Sequence, residues 1–115
     1  MVIKLLLIGS FHQKNESALR SYSVLQIDTI SIDTVDNVAM ENYDIVYSPL
    51  YPLKVQKWPK TKFIFGPHFS VFPEDHMMSD ITYRNAVFIV PSVWVKELYK
   101  KFECCRNLNI KALPF

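Results

Sequence analysis

Short apolar runs that stop abruptly at glycine or proline most constrain what this chain can fold into. Lys62–Phe65 stops at Gly66, and Ala86–Val90 stops at Pro91. A run of about four to eight residues without polar alternation is typical of a strand buried on both faces of a parallel sheet. Residues 2–8 form another such run. The chain is therefore predicted to be an α/β protein.

The rest of the sequence adds weaker strand and helix signals. The pattern predicts six strands, at residues 2–8, 27–32, 44–47, 62–65, 86–90 and 110–113. Between them it predicts a helix over 15–25, a short helix or irregular crossover over 35–42, a connection over 54–59, a loop over 69–78 and a helical turn over 80–84. Strands separated by such crossovers predict a Rossmann-like, doubly wound parallel sheet in one domain, residues 1–115.

The helix predicted after the fifth strand has the clearest pattern. Ser92 stands at the N-cap position. The helix is expected to bury the face that carries Val95, Leu98, Tyr99 and Phe102.

Composition excludes several classes of protein. Half of the 115 residues are hydrophobic and the net charge is +2, which suits one domain with a core and does not suggest a nucleic-acid binder. No apolar run approaches the roughly 20 residues of a membrane span. The run 2–8 fits a first strand better than a signal peptide. The adjacent Cys104 and Cys105 are expected to be reduced thiols, which predicts a cytoplasmic protein.

Charges of opposite sign are grouped along the chain. Residues 28–44 contain acids and no base, whereas residues 54–62 contain lysines and no acid. Two solvated edges explain this grouping. Alternatively, the lysines meet phosphate, a partner domain or an anionic lipid surface, which would allow peripheral contact with a membrane.

The common nucleotide-binding and hydrolase motifs are absent from the sequence. It has no G-x-G-x-x-G after the first strand, no G-x-x-x-x-G-K-[ST] and no G-x-S-x-G. No His, Cys, Asp and Glu cluster has metal-site spacing, so no metal ion is expected.

The edge where the predicted strands end is the first place to look for a site, because open α/β sheets bind ligands outside the carboxyl ends of their strands. Gly9 and Gly66, the two glycines of the chain, both follow predicted strands there. A backbone that approaches a ligand closely, or turns with positive φ, favours glycine. His68 leaves the fourth strand at the same edge.

Three segments together resemble a known enzyme family. They are 62–73, with Phe-Gly-Pro-His-Phe-Ser-Val-Phe-Pro at 65–73, then Pro-Ser-Val-Trp-Val-Lys at 91–96, and Ile-Lys-Ala-Leu-Pro-Phe at 110–115. Their order and spacing resemble the amino-terminal half of a GT-B glycosyltransferase of the retaining, group 1 type. The resemblance covers residues 44–115 well and residues 1–43 only in general plan. Val93 departs from it, since many relatives have an acidic residue there.

The resemblance implies an acceptor-binding domain. In such enzymes a second domain holds the nucleotide-sugar, the co-substrate, and no bound metal or other cofactor is needed. That donor-binding domain is expected to be absent from residues 1–115, so the chain alone is expected to have little or no transferase activity. The alternative is a non-catalytic Rossmann-like module that pairs with a separate donor domain or binds a glycan or protein.

The resemblance also implies roles for particular residues. His68 would lie near the reacting sugar, unless it only forms hydrogen bonds within its loop. Ser92 is either an N-cap or a ligand contact, and Trp94 provides either core or interdomain packing or a platform for a sugar. Ser48, with Tyr47 and Tyr51, lines an acceptor groove or forms a packed turn. The predicted substrate-binding residues are Gly9, Ser10, His12, Ser48, Gly66, Ser92 and Trp94, with His68 as the catalytic candidate.

Overall fold

The sheet is six-stranded and parallel throughout. The structure, a computed structural model, describes residues 2–9, 20–49, 51–66 and 80–112, the side chain of Cys104 excepted. The strands lie side by side in the order β2-β1-β3-β4-β5-β6, and each neighbouring pair is parallel. They are β1 (Ile3–Ile8), β2 (Leu25–Ile30), β3 (Ile45–Ser48), β4 (Lys62–Phe65), β5 (Ala86–Val90) and β6 (Ile110–Ala112). The predicted Rossmann-like α/β fold is confirmed.

The second strand begins earlier than the sequence pattern predicts. Leu25, predicted to lie on a helix, opens β2 and is the register partner of Ile3. Ile32, predicted to end the strand, opens a 3-10 helix instead. Leucine has a good helix propensity, but here pairing with β1 decides the conformation, since tertiary context overrides local propensity.

Short helices connect the strands. The 3-10 helices are Ile32–Asn37, Met40–Asn42, Val55–Lys57 and Glu103–Cys105, and the α-helix α1 is Val93–Lys100. The crossover predicted over 35–42 as a short helix or irregular segment is thus built of 3-10 turns.

The two faces of the sheet are covered differently. The first face holds the main core, where strand side chains such as Leu6, Phe63 and Phe88 pack with crossover side chains. The second face holds a smaller cluster made of strand residues. These are Leu5, Leu7, Tyr47 and Ile89, with the half-buried Ile27, Ile45, Ile64 and Val87.

Helix α1 packs on the first face through one side only. Val95, Tyr99 and Phe102 contact the main core, and the ring centroid of Tyr99 lies 5.3 Å from that of Phe88. The prediction that Leu98 shares this buried face is wrong, because its side chain is exposed. Val95 and Tyr99 lie on the side of the eight-residue helix that faces the core, Phe102 follows the helix, and Leu98 lies to the side of that stripe.

The amide of Asn85 holds the crossover between β3 and β4 in place. Its Nδ2, which carries two N–H groups, donates to the carbonyl oxygens of Val55, Trp58 and Thr61 at 3.1, 2.9 and 3.0 Å, so one N–H is shared between two of these oxygens. Asn85 directly precedes β5, so this contact ties the crossover to the amino end of the sheet.

Candidate functional site

The strand order creates one switch point. From β1 the chain passes to β2 on one side, and it returns to β3 on the other side. In open α/β sheets ligands bind at such a point, outside the carboxyl ends of the two diverging strands. Leu7 of β1 is the register partner of Tyr47 of β3, so Gly9 and Ser48 both lie at this end of the pair.

The glycines that follow β1 and β4 both adopt positive φ, 79° for Gly9 and 91° for Gly66. Side chains rarely tolerate this conformation. At Gly66 a Cβ atom would lie 2.4 Å from the carbonyl oxygen of Ile89, which is too close for a carbon atom. The backbone conformation and the contact with Ile89 are therefore enough to explain a glycine at position 66, without any bound ligand.

Ser48 is committed to a turn. Its side chain is fully buried, and its Oγ donates a hydrogen bond to the carbonyl oxygen of Tyr51 at 2.6 Å. The amide of Gly66 donates to the Ser48 carbonyl oxygen at 3.3 Å. Of the two alternatives for this residue, the geometry favours the packed turn. A direct contact between the Ser48 side chain and an acceptor would require this turn to open.

Tyr47 points to the second face, one residue before the end of β3. Burial raises the pKa of its phenol to about 12. The phenol is therefore neutral at physiological pH and does not serve as a base there.

Ser92 is the N-cap of α1. Its Oγ accepts a hydrogen bond from the backbone N–H of Val95 at 3.2 Å, which confirms the N-cap prediction. Because Ser92 follows β5 closely, the first turn of α1 lies beside the carboxyl end of that strand.

Trp94 lies on the outside of that first turn. Its side chain is 72% exposed, so the prediction of core packing is wrong. An apolar residue in the first turn of a helix resembles a core position in sequence, but the side of α1 that faces the core is taken by Val95 and Tyr99. Interdomain packing and sugar stacking remain as the roles predicted for this ring.

Val93 and Leu98 extend the exposed apolar surface around Trp94, at 66% and 41% exposure. Sequence reasoning missed this surface, because the pattern assigned Leu98 to the buried face. One signal of this surface was available in the sequence. Four apolar positions, Val95, Leu98, Tyr99 and Phe102, are more than a short helix can bury on one side.

The described site residues share one edge. Gly9, Ser48, Gly66, Ser92 and Trp94 all follow, or end, strands at the carboxyl edge of the sheet. Ser10, His12 and His68 were predicted for the same edge and lie outside the described residues.

The lysines of residues 54–62 do not lie among the site residues at the carboxyl edge. Lys54 and Lys57 line a surface cleft of about 490 Å³ together with Gln56 and Asp80. Lys57 Nζ lies 4.0 Å from Asp36 Oδ1. Carboxylates thus stand beside these lysines, as expected of solvated edges of opposite sign rather than of a uniformly basic phosphate site.

The described residues hold neither a metal-binding cluster nor a membrane-spanning helix. Residues 2–9, 20–49, 51–66 and 80–112 contain no group of three or more His, Cys, Asp or Glu able to hold a metal ion. Within the same ranges, no helix combines the length and the hydropathy that crossing a bilayer demands.

Fold and site together define a Rossmann-like α/β domain with a candidate ligand edge at the carboxyl ends of its strands. A scan against protein-family models matched none, and searches of curated proteins and of solved structures found no match.

Proposed function

We propose that this chain is the acceptor-binding half of a glycosyltransferase that moves a sugar from a nucleotide-sugar to a hydroxyl group. The observation that carries the proposal is the convergence of Gly9, Gly66, Ser92 and Trp94 on the carboxyl edge of the sheet. Gly9 follows β1, whereas Gly66 lies in segment 62–73 and Ser92 and Trp94 lie in segment 91–96, two of the segments that resemble GT-B enzymes. The same edge is where open α/β sheets bind ligands.

The chemistry of such a transfer needs two domains. The bond between the anomeric carbon and the leaving phosphate breaks, and a bond forms from that carbon to the acceptor oxygen. The departing phosphate takes up the proton that the acceptor hydroxyl loses. The transition state resembles an oxocarbenium ion, as in glycoside hydrolysis. The phosphate needs positive charge or N–H donors, which we assign to a separate donor-binding domain. This chain would hold and orient the acceptor, with His68 beside the reacting sugar.

Trp94 is the group best suited to contact a sugar directly. Its ring is exposed beside the carboxyl end of β5. An aromatic ring offers a large rigid surface with a polar N–H handle, which suits the mixed polarity of a sugar face.

The test is a ligand-observed NMR screen of the purified chain with simple acceptor sugars, UDP- and GDP-sugars and free nucleotides. We expect sugars to bind, nucleotides to remain silent, and Trp94→Ala and His68→Ala to abolish the signal. Tyr22→Ala is the matched control, because Tyr22 is an exposed aromatic just before the amino end of β2, on the opposite edge. Strong nucleotide-sugar binding, or equal loss in Tyr22→Ala, would contradict the proposal.

A second candidate function is a non-catalytic module that pairs with a separately encoded donor domain. The exposed apolar group Val93, Trp94 and Leu98 favours it, since clustered exposed apolar side chains mark interaction surfaces. Under this reading Leu98→Glu would weaken assembly with the donor domain and leave sugar binding unchanged. Under the first reading Trp94→Ala would remove sugar binding, whereas Leu98→Glu would leave it unchanged.

A further inference from the structure

Two exposed aromatic side chains lie beyond strand ends at the carboxyl edge of the sheet. Trp94, in the first turn of α1, follows β5 and is 72% exposed. Tyr51 follows β3 and is 39% exposed. Each ring has an apolar face and one polar group, which is the combination that suits the mixed polarity of a sugar. The edge thus offers two places where a sugar ring can stack.

The backbone of Tyr51 is held in a fixed turn. The buried Oγ of Ser48 donates a hydrogen bond to the Tyr51 carbonyl oxygen at 2.6 Å. The Ser48 carbonyl oxygen in turn accepts a hydrogen bond from the amide of Gly66 at 3.3 Å, which ties the turn to the end of β4. On the other side of Tyr51, Leu53 is buried in the main core. A ring carried on a fixed backbone loses less conformational entropy on binding than one on a loose loop.

The two rings belong to strands that are not neighbours. In the sheet β4 lies between β3 and β5. Neighbouring strands are about 4.8 Å apart, so the ends of β3 and β5 are separated by roughly 10 Å. The residue that ends β4 between them is Gly66, which has no side chain.

This separation bears on the size of the ligand. A six-membered sugar ring is close in size to one aromatic ring, so a single sugar covers Trp94 or Tyr51 but not both. Two linked sugar rings extend over a comparable span and reach both. Once the first unit has bound, the second contact is made within the same complex, so it raises the affinity at little further entropic cost.

We propose that the acceptor is an oligosaccharide of at least two linked sugar units, one stacked on Trp94 and the next on Tyr51. The inference rests on the proposed function and names the class of its acceptor. Tyr51 then selects acceptors by length. Ser48 acts on the acceptor only through Tyr51, as the residue that positions its backbone.

The experiment compares single sugars with linked ones. The probes are glucose, mannose, galactose and N-acetylglucosamine, each with the disaccharides built from two units of the same sugar. Ligand-observed NMR titration of the full chain measures their affinities. We expect at least one disaccharide to bind about tenfold more tightly than its monosaccharide. In a ¹H–¹⁵N correlation map, that disaccharide should shift both the Trp94 indole N–H and the Tyr51 amide, and the monosaccharide should not shift the Tyr51 amide.

Substitutions at Tyr51 isolate the second contact. Tyr51→Ala should weaken the disaccharide about fivefold to tenfold and the monosaccharide by less than about twofold. Tyr51→Phe keeps the ring face and should retain most of the gain. Tyr22→Ala is the matched control, because it removes an exposed aromatic side chain just before the amino end of β2. Far-UV circular dichroism verifies that each variant is folded.

The outcomes separate this inference from the proposed function. Disaccharides that bind no more tightly than their monosaccharides, or a Tyr51→Ala variant indistinguishable from Tyr22→Ala, would overturn the oligosaccharide inference and leave the acceptor-binding proposal standing. A complete lack of sugar binding would overturn both. Nucleobases also stack on aromatic rings. Free UMP or GMP that shifts the Tyr51 amide and the Trp94 indole would identify a nucleotide as the ligand of the two rings and contradict both.

Discussion

Replacing Asn85 by aspartate should destabilise this protein far more than the small change in side-chain volume suggests. Asn85 Nδ2 donates to three backbone carbonyl oxygens at 2.9 to 3.1 Å, and its Oδ1 has no hydrogen-bond partner among the described residues. The contribution of this side chain therefore comes from its donor side. Because Nδ2 has two N–H groups, one of them is shared between two of the oxygens. At about 1 kcal/mol for each neutral hydrogen bond, losing both donors lowers the free energy of unfolding by about 2 kcal/mol. The free energy of unfolding of a whole domain is roughly 5 to 15 kcal/mol, so this loss is a substantial part of it.

The carboxylate adds a pH dependence with a definite sign. In Asn85→Asp the introduced group faces three carbonyl oxygens, which disfavour its charged form, so its folded-state pKa lies above the unfolded value of about 3.9. Below the unfolded-state pKa, the carboxyl group is protonated in both the folded and the unfolded state, and its O–H can donate one hydrogen bond to a carbonyl oxygen. As pH rises above it the unfolded state ionises first, so the loss of stability grows with pH.

Urea unfolding at pH 4 and pH 7 measures both effects. Asn107→Asp is the matched control, because Asn107 is exposed in the turn before β6. We expect a lower urea midpoint with an unchanged slope for Asn85→Asp at pH 7, a smaller deficit at pH 4, and little change for Asn107→Asp. A deficit below about 1 kcal/mol at pH 7, or one equal to that of the control, would refute the reasoning.

Three further predictions concern the edge and its neighbours. Gly66→Ala should lower the free energy of unfolding in urea by about 3 kcal/mol or more, because alanine would need positive φ and its Cβ would lie 2.4 Å from the Ile89 oxygen. A loss below about 1 kcal/mol would contradict this prediction. Ser92→Ala should cost about 1 kcal/mol through the lost cap of α1, with Ser92→Thr close to wild type, and a neutral alanine variant would show that the cap is not needed. The Tyr47 phenol, whose pKa burial raises from 10.0 to about 12, should make stability fall between those pH values, since the unfolded state ionises first. Tyr47→Phe should lessen that fall, and identical pH profiles would refute the assignment.

The apolar runs are what made the fold predictable. Lys62–Phe65 and Ala86–Val90 have the predicted bounds, because glycine or proline ends each run sharply. Leu25 was placed on a helix, since nothing in its neighbourhood reveals that it pairs with Ile3. Strand order is equally hidden, as it depends on which crossovers pack on which face.

The candidate site was predictable in position but less so in detail. Strand ends located the edge, and the serine before an amphipathic pattern identified the cap at Ser92. The exposure of Trp94 and the burial of Ser48 depend on tertiary packing, which local sequence does not encode.

The most direct test of the acceptor-binding proposal is a ¹H–¹⁵N correlation map of the labelled chain titrated with an acceptor sugar that binds in the ligand screen. The proposal predicts that shifted resonances cluster at the carboxyl edge, on the amides of Gly9 and Gly66 and on the indole N–H of Trp94. It also predicts that UDP- and GDP-sugars shift none of them. Shifts centred on the amino edge near Tyr22, or tight nucleotide-sugar binding at the carboxyl edge, would contradict the assignment of this chain as an acceptor-binding half.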